Sequence, residues 1–406
     1  MPILESRASM SEWRQVPAGK IAHQRREIVR LEPGTEYRTM GVRWYGKGAY
    51  DRGVVTTETV KANSLYRVRE GDFTFNRIDT QQGAFDVVSA ELDGALATNE
   101  FPLYEVNEEV ADARFLLLNF QRSEVLQQIG AMRAGSEGRA RWKEVDFEAW
   151  MVPVPPLPVQ ERIVEIIGSV DDQIAALAAE AGALSAVLRL RRADLITDDS
   201  IEAVSAEHAF DFSTGVRRTP DRATGPYMTP YLRSANVGYG TLDLSDVLKM
   251  NYDPAEREKF RLRYGDVLVS EGSASAKAVG MPAMWRDELP APVCTQMTLL
   301  RLRALDGVCI PEFVFHWSMW AYESGAFLDV AGGTNIKHIS AKRAKGMAVH
   351  LPSLDRQREM AVELEAMESA LQATRTEACR LREARKALLS GLLNRTIAID
   401  SAELGV

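Results

Sequence analysis

Six short segments of the sequence combine hydrogen-bonding side chains with positive charges, and we call them the candidate recognition segments. Three lie in the N-terminal half: Arg43, Tyr45 and Lys47; Arg77, Gln81 and Gln82; Arg139, Arg141 and Lys143. Three lie in the C-terminal half: Arg233, Asn236 and Tyr239; Ser273, Ser275 and Lys277; Asn335, Lys337 and His338. Amide and guanidinium groups match the paired donors and acceptors of base edges, and cations bind phosphate. These residues predict recognition of a polar, anionic ligand, and the alternative for each segment is a solvated surface turn.

The sequence contains no recognisable catalytic constellation. It has no Asn-Pro-Pro-Tyr or Asp-Pro-Pro-Tyr element for amino-group methylation, and no Gly-x-x-x-x-Gly-Lys-Ser/Thr phosphate loop. Asp171 and Asp172 are adjacent on a predicted helix, where neighbouring side chains point about 100° apart, so a solvated helix face is favoured over a metal pair. Cys294, Cys309 and Cys379 lack Cys-x-x-Cys spacing, and the five histidines form no ligand pair. We therefore expect no catalytic residue and no metal site.

The composition is that of a globular protein, but its charge argues against a simple DNA-binding domain. At 406 residues the chain is long enough for two or three domains. Its net charge is −8, whereas a basic surface is the usual electrostatic sign of a nucleic-acid-binding protein. Acidic residues on a face that meets a protein partner would reconcile this charge with basic patches elsewhere. No stretch approaches the roughly 18 apolar residues of a membrane span, and the N-terminus lacks a signal pattern.

The sequence contains an internal repeat. An aromatic-Arg-apolar-Arg-x-Gly-Asp pattern precedes an apolar run at Gly71-Asp72, and it recurs 194 residues later at Gly265-Asp266. A proline-rich joint leads to Gln160, and a similar joint leads to Gln357, 197 residues later. The small change in offset indicates loop differences within one duplicated topology.

A long helix is predicted after each joint, over residues 159–196 and 353–395. Apolar residues recur at alternating steps of four and three in both, which is the coiled-coil period. They are Ile163, Ile167, Val170, Ile174, Leu177, Leu184 and Leu188 in the first helix, and Met360, Leu364, Met367, Leu371, Leu381 and Leu388 in the second. A surface helix packed on its own domain would explain one such pattern, but not two in the same register. Arg191 and Arg385 interrupt the two patterns at swapped positions, so we expect them to help fix the pairing of the helices.

The predicted fold is α+β, with two similar globular domains separated by two long helices that form an antiparallel coiled coil with pseudo-twofold symmetry. The predicted divisions are a globular domain over 1–152, a joint and central helix over 153–198, a second globular domain over 199–350, a joint and C-terminal helix over 351–397, and a tail over 398–406. Strands are expected at 54–57, 73–75, 266–269 and 298–302, and apolar helices at 115–129 and 311–328.

This order of elements resembles the specificity subunits of Type I restriction–modification systems over nearly the whole chain. The matching parts are the joint 154–163 with its helix, the joint 354–360 with its helix, and the two Gly-Asp turns. The segment 332–340, Gly-Gly-Thr-Asn-Ile-Lys-His-Ile-Ser, resembles the family's small-residue turn before a short helix. The corresponding segment 135–142 departs from that pattern and is more basic. The duplicated order is the specific feature of the resemblance.

The resemblance implies that each globular domain is a target recognition domain that reads one half of a split, asymmetric DNA site. It implies that the long helices set the spacing of the half-sites and dock methyltransferase subunits, and that restriction (motor/nuclease) subunits can join the complex. The chain itself would be non-catalytic and would bind no cofactor. S-adenosylmethionine would be bound by the partner methyltransferase subunits, which methylate adenine N6. A cytoplasmic, nucleoid-associated protein of phage defence is expected.

Several alternatives remain open from the sequence. The complex could serve methylation alone, or another form of phage defence that uses the same specificity subunit. From other classes, the chain could be a stand-alone coiled-coil scaffold, which the acidic net charge permits, or a cryptic DNA-modifying enzyme.

Overall fold

The computed structural model describes residues 13–132, 141–273, 275, 277–333 and 337–399. The chain forms two compact units, which we call unit 1 and unit 2. Unit 1 comprises residues 1–177 and 377–406, and unit 2 comprises residues 178–376.

Two 40-residue helices, Leu157–Ile196 and Leu354–Leu393, each contribute one part to each unit. The predicted helices over 159–196 and 353–395 are therefore confirmed to within two residues at each end. The division into compact units differs from the predicted one, which gave the two helices segments of their own. The reason is packing, since each part of each helix shares apolar contacts with the globular part of its own unit.

Unit 1 is built from three sheets with short helices around them. Its strands are β1 (Arg14–Pro17), β2 (Ala22–Arg25), β3 (Ile28–Arg30), β4 (Tyr37–Arg43), β5 (Gly48–Val55), β6 (Ser64–Arg67), β7 (Phe73–Phe75), β8 (Phe85–Val87), β9 (Leu96–Ala97), β10 (Leu103–Val106) and β11 (Met151–Val154). Its helices are α1 (Ala18–Ile21), α2 (Ala113–Phe120), α3 (Ser123–Met132), α4 (Glu144–Glu148), the first part of α5 (Leu157–Ile196) and the end of the second long helix. The sheet orders are β1-β11, β2-β10-β7-β8 and β3-β6-β9-β4-β5.

An aromatic core supports the second of these sheets. Phe73 and Phe75 alternate on β7 and are both fully buried, as expected for one face of a strand. Their rings lie within 6.2 Å, centroid to centroid, of five others, those of Phe85, Tyr104, Phe120, Trp142 and Phe147. The chain leaves this core directly after Phe75 and enters the segment that contains Arg77, so the core fixes where that segment begins.

Unit 2 repeats this plan with different loops. Its strands are β12 (Ala203–Ser205), β13 (Phe210–Thr214), β14 (Met228–Leu232), β15 (Leu248–Asn251), β16 (Val267–Ser270), β17 (Gly272–Ser273), β18 (Pro282–Met284), β19 (Cys294–Thr295), β20 (Leu299–Ala304), β21 (Ala331–Gly332), β22 (Lys337–Ile339) and β23 (Ala348–His350). Its helices are the end of α5, then α6 (Pro254–Phe260), α7 (Pro311–Glu323), α8 (Ala326–Asp329), α9 (Ala341–Lys345) and the first part of α10 (Leu354–Leu393). The sheet orders are β12-β23, β13-β20-β16-β18, β15-β14-β19 and β17-β22-β21.

The repeat predicted from the sequence is confirmed by topology. The order β2-β10-β7-β8 in unit 1 has the same connectivity as β13-β20-β16-β18 in unit 2. The antiparallel pair β1–β11 corresponds to β12–β23. The parallel pair β4–β9 corresponds to β14–β19.

Three predicted elements end differently in the structure. The strand predicted over 54–57 ends at Val55, because Thr56 starts a turn in which its carbonyl accepts the N–H of Thr59. The helix predicted over 115–129 is two helices, since the N–H of Gln121 closes α2 by bonding to the carbonyls of both Leu117 and Leu118. The helix predicted over 311–328 is divided at Gly325, whose φ of 86° is left-handed and ends a helix.

The glutamine of each joint makes the same three hydrogen bonds in its own unit. Gln160 is fully buried; its Oε1 accepts the N–H of Asp112, and its Nε2 donates to the carbonyls of Val110 and Pro155. Gln357 is also fully buried; its Oε1 accepts the N–H of Ile310, and its Nε2 donates to the carbonyls of Val308 and Pro352. Each glutamine thereby ties a long helix to the N-cap residue of another helix of its own unit, α2 or α7.

The Gly-Asp turn also recurs in detail. Gly71 and Gly265 have φ values of 80° and 86°, a conformation that glycine adopts without steric cost. The buried carboxylate of Asp72 accepts the N–H of Arg69 at 2.9 Å, and that of Asp266 accepts the N–H of Arg263 at 2.8 Å. The turns are alike because the same three-residue span is closed by the same side chain. Each turn delivers a buried strand, β7 or β16, into the central sheet.

Replacing Asp72 by asparagine should make unit 1 gain stability, relative to the wild type, as pH rises. Burial raises the pKa of Asp72 from 3.8 to about 6, against the opposing effects of the Arg69 N–H and Arg25. Because the pKa of Asp72 is higher in the folded state than in the unfolded state, the protonated carboxyl favours folding. This contribution to the free energy of unfolding is complete below pH 3.8 and is lost as pH rises through about 6. The difference between the folded and unfolded pKa corresponds to about 3 kcal/mol of stability. Asparagine does not ionise, so the variant does not lose this stability as pH rises.

The measurement is denaturant unfolding of Asp72→Asn and of the wild type on both sides of that pH range. Asp172→Asn, at an exposed position of unit 1, is the control for the substitution itself. A difference between Asp72→Asn and wild type that does not change with pH would contradict the assignment.

The two long helices pair in antiparallel fashion within each unit. The predicted pairing residues are all buried or half-buried. In unit 1, Ile163 and Ile167 share an apolar cluster with Leu389 and Leu392. In unit 2, Leu188 and Leu195 share a cluster with Met360 and Leu364. The N-terminal part of each long helix therefore packs against the C-terminal part of the other.

Both arginines that interrupt the heptad patterns form ion pairs across the helices. In unit 1, Arg385 binds Asp171 through two contacts of 2.5 and 2.8 Å. In unit 2, Arg191 binds Glu363 through contacts of 2.5 and 3.1 Å. Their predicted role in fixing the pairing fits this geometry, because each arginine selects one acidic partner on the other helix.

One described helix, α5, is long and apolar enough to cross a membrane by length and composition, with a mean hydropathy of 1.3 over an 18-residue window. The expectation that no stretch approaches a membrane span is wrong for this helix. Only 11% of the window is buried. A single such helix is weak evidence for a membrane, and both parts of α5 pack against other elements of their units.

Candidate nucleic-acid interface

In unit 1 the first two candidate recognition segments meet. The turn 44–47 joins β4 to β5, and the loop 76–84 joins β7 to β8. The N–H of Tyr45 donates to the carbonyl of Gln82 at 2.6 Å, and the N–H of Gly46 donates to Gly83 at 3.1 Å. The Trp44 Nε1 also contacts the carbonyl of Ile78 at 3.4 Å. Two segments that are distant in sequence thus form one surface.

The backbone of the turn 44–47 holds its side chains outward. Tyr45 and Gly46 have φ values of 61° and 65°, as in the tight turns that suit twisted hairpins. A tyrosine in this conformation is uncommon, and its ring is 69% exposed. At the base of the hairpin the half-buried carboxylate of Asp86 accepts the N–H of Ala49 at 2.6 Å. Burial raises the pKa of Asp86.

The third segment of unit 1 lies beside the second. The N–H of Trp142 donates to the carbonyl of Arg77 at 3.1 Å, and Ile78 pairs with Arg141 in an antiparallel bridge. The indole of Trp142 is buried in the aromatic core, so that core positions this segment as well. Arg139 lies outside the described residues. The described parts of all three segments are therefore contiguous.

Two candidate arginines of unit 1, Arg77 and Arg141, already contact acidic side chains. Arg77 donates to the carbonyl of Asn99 at 3.1 Å and lies 3.5 Å from Glu144. Arg141 binds Glu100 through two contacts of 2.8 and 3.1 Å. These two guanidinium groups would have to exchange partners to bind a ligand.

The other candidates of unit 1 are more accessible. The guanidinium of Arg43 stacks 3.9 Å above the ring of Tyr50. Lys47 is exposed and makes no ion pair with any described residue. Gln82 and Lys143 are exposed, and the Nε2 of Gln81 lies 3.3 Å from Asp79. Arg43, Lys47, Gln82 and Lys143 are thus the side chains best placed to meet a ligand.

In unit 2 the second and third candidate segments are joined by strand pairing. Gly272 pairs with His338 and Ser273 pairs with Lys337, which places β17 against β22. Lys337 and His338 are exposed, as are Ser275 and Lys277 in the following loop. Asn335 lies outside the described residues, and only the backbone position of Ser273 is described. The strand pairing therefore makes the second and third candidate segments of unit 2 neighbours.

The first segment of unit 2 includes two residues with structural roles. Asn236 is 2% exposed; its Oδ1 accepts the N–H of Arg233, and its Nδ2 donates to the carbonyls of Asp243 and Asp246. The guanidinium of Arg233 binds the carboxylate of Asp246 at 2.5 Å. The expected exposure of Asn236 is wrong, because its amide is needed to close the loop between β14 and β15.

Tyr239 of the same segment reaches the second segment through Tyr322. The two tyrosine rings lie 5.9 Å apart, and the hydroxyl of Tyr322 donates to the carbonyl of Lys277 at 2.6 Å. The hydroxyl of Tyr239 contacts the carboxylate of Glu323. Burial and this acidic partner raise the pKa of Tyr239 to about 12. Tyr239 and Lys277 thus belong to one surface, whereas Arg233 is tied to its own loop.

The six segments occupy three equivalent places in the duplicated topology. The turn after β4 corresponds to the loop after β14, and the loop after β7 corresponds to the loop after β16. The third segments precede the short helices α4 and α9. Sequence reasoning missed Tyr322 and Glu323, which resemble core residues of an apolar helix and become recognisable only through their contacts. Among the described residues, no three His, Cys, Asp or Glu side chains are placed to hold a metal.

The chain is similar to solved structures, two of which come from type I R-M systems. A chain from a type I R-M system studied for complex assembly and conformational transition has a TM-score of 0.64 at 17% identity, covering 94% of this chain and 97% of its own. The S subunit from M. genitalium has a TM-score of 0.52 at 12% identity, with 95% and 97% covered. The HsdS subunit from Thermoanaerobacter tengcongensis has a TM-score of 0.45 at 17% identity, with 94% and 96% covered.

The first two similarities show that this chain has the fold of type I R-M chains over almost its full length. No protein-family model matches the sequence, and no curated protein matches it significantly.

Proposed function

We propose that this chain is the DNA-specificity subunit of a Type I restriction–modification system and reads a bipartite, asymmetric DNA site. The observation that carries the proposal is a duplicated fold, similar to type I R-M chains over 94% of the chain, with exposed polar and basic loops at equivalent places in both units. The globular parts of units 1 and 2, without the long helices, would be the two target recognition domains. In this proposal each unit reads one half of the site.

Asymmetry of the site follows from differences between the loops. In the second pair of segments unit 1 carries the exposed Gln82 and unit 2 carries the exposed Ser275; in the third pair unit 1 carries Lys143 and unit 2 carries Lys337 and His338. An amide pairs well with adenine and a guanidinium pairs well with guanine, so different side chains favour different base sequences. Two unlike readers therefore select two unlike half-sites, while a symmetric dimer would select a palindrome.

Docking of methyltransferase subunits on the long helices is supported by exposed apolar surface. In unit 2, Val187 and Leu190 on α5 and Val362 on α10 are more than half exposed. Apolar side chains clustered on a helix surface often mark contacts with a protein partner. The excess of acidic residues would then lie outside the DNA-facing loops. We also propose that the helices act as a spacer which sets the distance between the half-sites.

In this proposal the chemistry belongs to the partners. The methyltransferase subunits bind S-adenosylmethionine and methylate adenine N6, and restriction (motor/nuclease) subunits join where the system also cleaves DNA. The chain described here supplies hydrogen-bond donors, acceptors and cations, and no residue is assigned a catalytic role. The proposed location is the cytoplasm, on chromosomal DNA.

Genome-wide mapping of N6-methyladenine tests the proposal. Deleting the gene should remove methylation from one split motif, and the full-length chain supplied in trans should restore it. The double variant Lys337→Ala/His338→Ala should lose or alter methylation through one half of the motif, because these side chains lie in unit 2 alone. Lys386→Ala, at an exposed position of α10 bound to Glu383, is the control and should leave the motif intact. An unchanged methylation map after deletion would reject the proposed function.

A further inference from the structure

A cleft of about 500 Å³ in unit 2 joins a long helix to two candidate recognition segments. Its lining includes Ser185 and Arg189 from α5, Tyr239 and Lys277 from the loops, and Tyr322 and Glu323 from α7. The candidate segments predicted from the sequence did not include any residue of a long helix. The cleft therefore extends the possible ligand contacts of unit 2 beyond its loops.

Two cations in this cleft have no acidic partner among the residues that the structure describes. Arg189 and Lys277 are both exposed, and neither forms an ion pair with a described residue. The neighbouring arginines of α5 differ, since Arg191 binds Glu363 and Arg192 binds Glu323. Two unpaired cations on the walls of one cleft create a positive potential that attracts an anion.

The carboxylate in the cleft does not cancel this potential. Glu323 has a side-chain exposure of 9%, and its Oε1 lies 2.5 Å from Nη1 of the buried Arg192. The hydroxyl of Tyr239 contacts the same oxygen. Arg192 also binds Glu368, at 2.7 Å, so this guanidinium offsets the charge of Glu323 only in part. Arg189 and Lys277 supply two positive charges against the single negative charge of Glu323, so the lining of the cleft keeps a net positive charge.

We propose that this cleft binds the phosphate backbone of DNA, with Arg189 and Lys277 as phosphate ligands. The inference rests on the proposed function and adds a residue of the spacer helix to the DNA interface. A guanidinium and an ammonium suit phosphate oxygens, and neither contact distinguishes one base from another. Arg189 would fix the position of DNA relative to α5, while the loops of unit 2 read the bases.

The test is the salt dependence of DNA binding by the full chain in complex with the methyltransferase subunits of its own host. A labelled duplex carries either the methylated motif or a scrambled version of it. Loss of one phosphate contact should lower the slope of log K against log salt by roughly 0.9. Arg189→Gln and Lys277→Gln should each have this effect on both duplexes, and the double variant should have roughly twice the effect.

Arg375→Gln is the matched control, because Arg375 is an exposed arginine on the other long helix of unit 2 and does not line the cleft. Its slope should equal that of the wild type. Unchanged slopes for Arg189→Gln, with motif preference intact, would overturn the inference and leave the proposed function standing. A loss confined to the motif duplex would also overturn it, since that result indicates base reading.

Two further outcomes distinguish a failure of the proposed function from the binding of a free nucleotide in the cleft. A wild-type complex without motif preference would reject the proposed function and the inference together. Displacement of the duplex by excess free adenosine monophosphate in the wild type, but not in Arg189→Gln, would assign the cleft to a free nucleotide and overturn its assignment to DNA.

Discussion

Replacing Arg192 by leucine should lower the free energy of unfolding of unit 2 by about 3–5 kcal/mol, the usual cost of leaving buried charges without their partner. The guanidinium is 1% exposed and binds Glu323 at 2.5 Å and Glu368 at 2.7 Å. Leucine fills part of the volume but leaves the carboxylates of Glu323 and Glu368, which are 9% and 28% exposed, without their cationic partner. This arginine also links α5 to α7 and α10, so its removal loosens three helices at once.

The loss caused by Arg192→Leu should depend on pH in a defined direction. Burial raises the pKa of Glu368, and Arg192 opposes that increase, as Arg286 does to a smaller extent. The buried His316 beside it stays neutral, because burial lowers its pKa to about 3. Without Arg192 the pKa of Glu368 should rise further. In Arg192→Leu the contribution of Glu368 to stability is then kept below its unfolded pKa of about 4.3, and it is lost as pH rises through the higher folded pKa.

Hydrogen exchange of α7 at about pH 4 and about pH 7 measures this effect within unit 2. Arg192→Leu should exchange much faster than the wild type near neutral pH and only slightly faster near pH 4. Arg189→Gln, three residues away and exposed, should change the free energy by less than about 0.5 kcal/mol. The triple variant Arg192→Leu/Glu323→Leu/Glu368→Leu should recover much of the loss. Wild-type protection in Arg192→Leu at neutral pH would contradict the assigned role.

Replacing Gln357 by leucine should cost unit 2 about 2–4 kcal/mol, because it removes three hydrogen bonds from a buried side chain. The N–H of Ile310 and the carbonyl of Pro352 would lose their partner, and the carbonyl of Val308 would need water instead. Leucine is close to glutamine in size, so the loss reports on polar groups and not on a cavity. Since these bonds hold the start of α7, that helix should fray first.

The duplicated structure offers a matched experiment on Gln160. Gln160→Leu breaks the equivalent bonds in unit 1 and should destabilise α2 without affecting α7. Gln372→Leu, on an exposed turn of α10, is the control and should be nearly neutral. Hydrogen exchange of α2 and α7 separates the two units, which a single melting temperature would not do. Equal loss of protection in α2 and α7 from either variant would contradict the separate roles of the two glutamines.

The sequence alone was sufficient for the long helices and for the repeat, since both are periodic or local patterns. Apolar residues at steps of three and four define a helix face before any contact is known, and Ile163 and Leu364 indeed lie on buried faces. Gly71-Asp72 and Gly265-Asp266 were recognisable because glycine with a side-chain acceptor encodes the turn within four residues. The three pairs of candidate segments could be located because they lie at similar sequence distances from these landmarks.

Tertiary structure alone decided which polar side chains are available to a ligand. Arg77, Arg141 and Arg233 resemble Lys47 and Lys277 in sequence, yet the first three are bound to acidic residues elsewhere in the chain, namely Glu144, Glu100 and Asp246. Asn236 was predicted to be exposed and instead closes its own loop. Arg189 joined Lys277 in one cleft only because α5 packs beside these loops. The physical reason is that a charge or an amide is satisfied by whichever groups the fold brings within about 3 Å, and spacing along the chain does not contain that information.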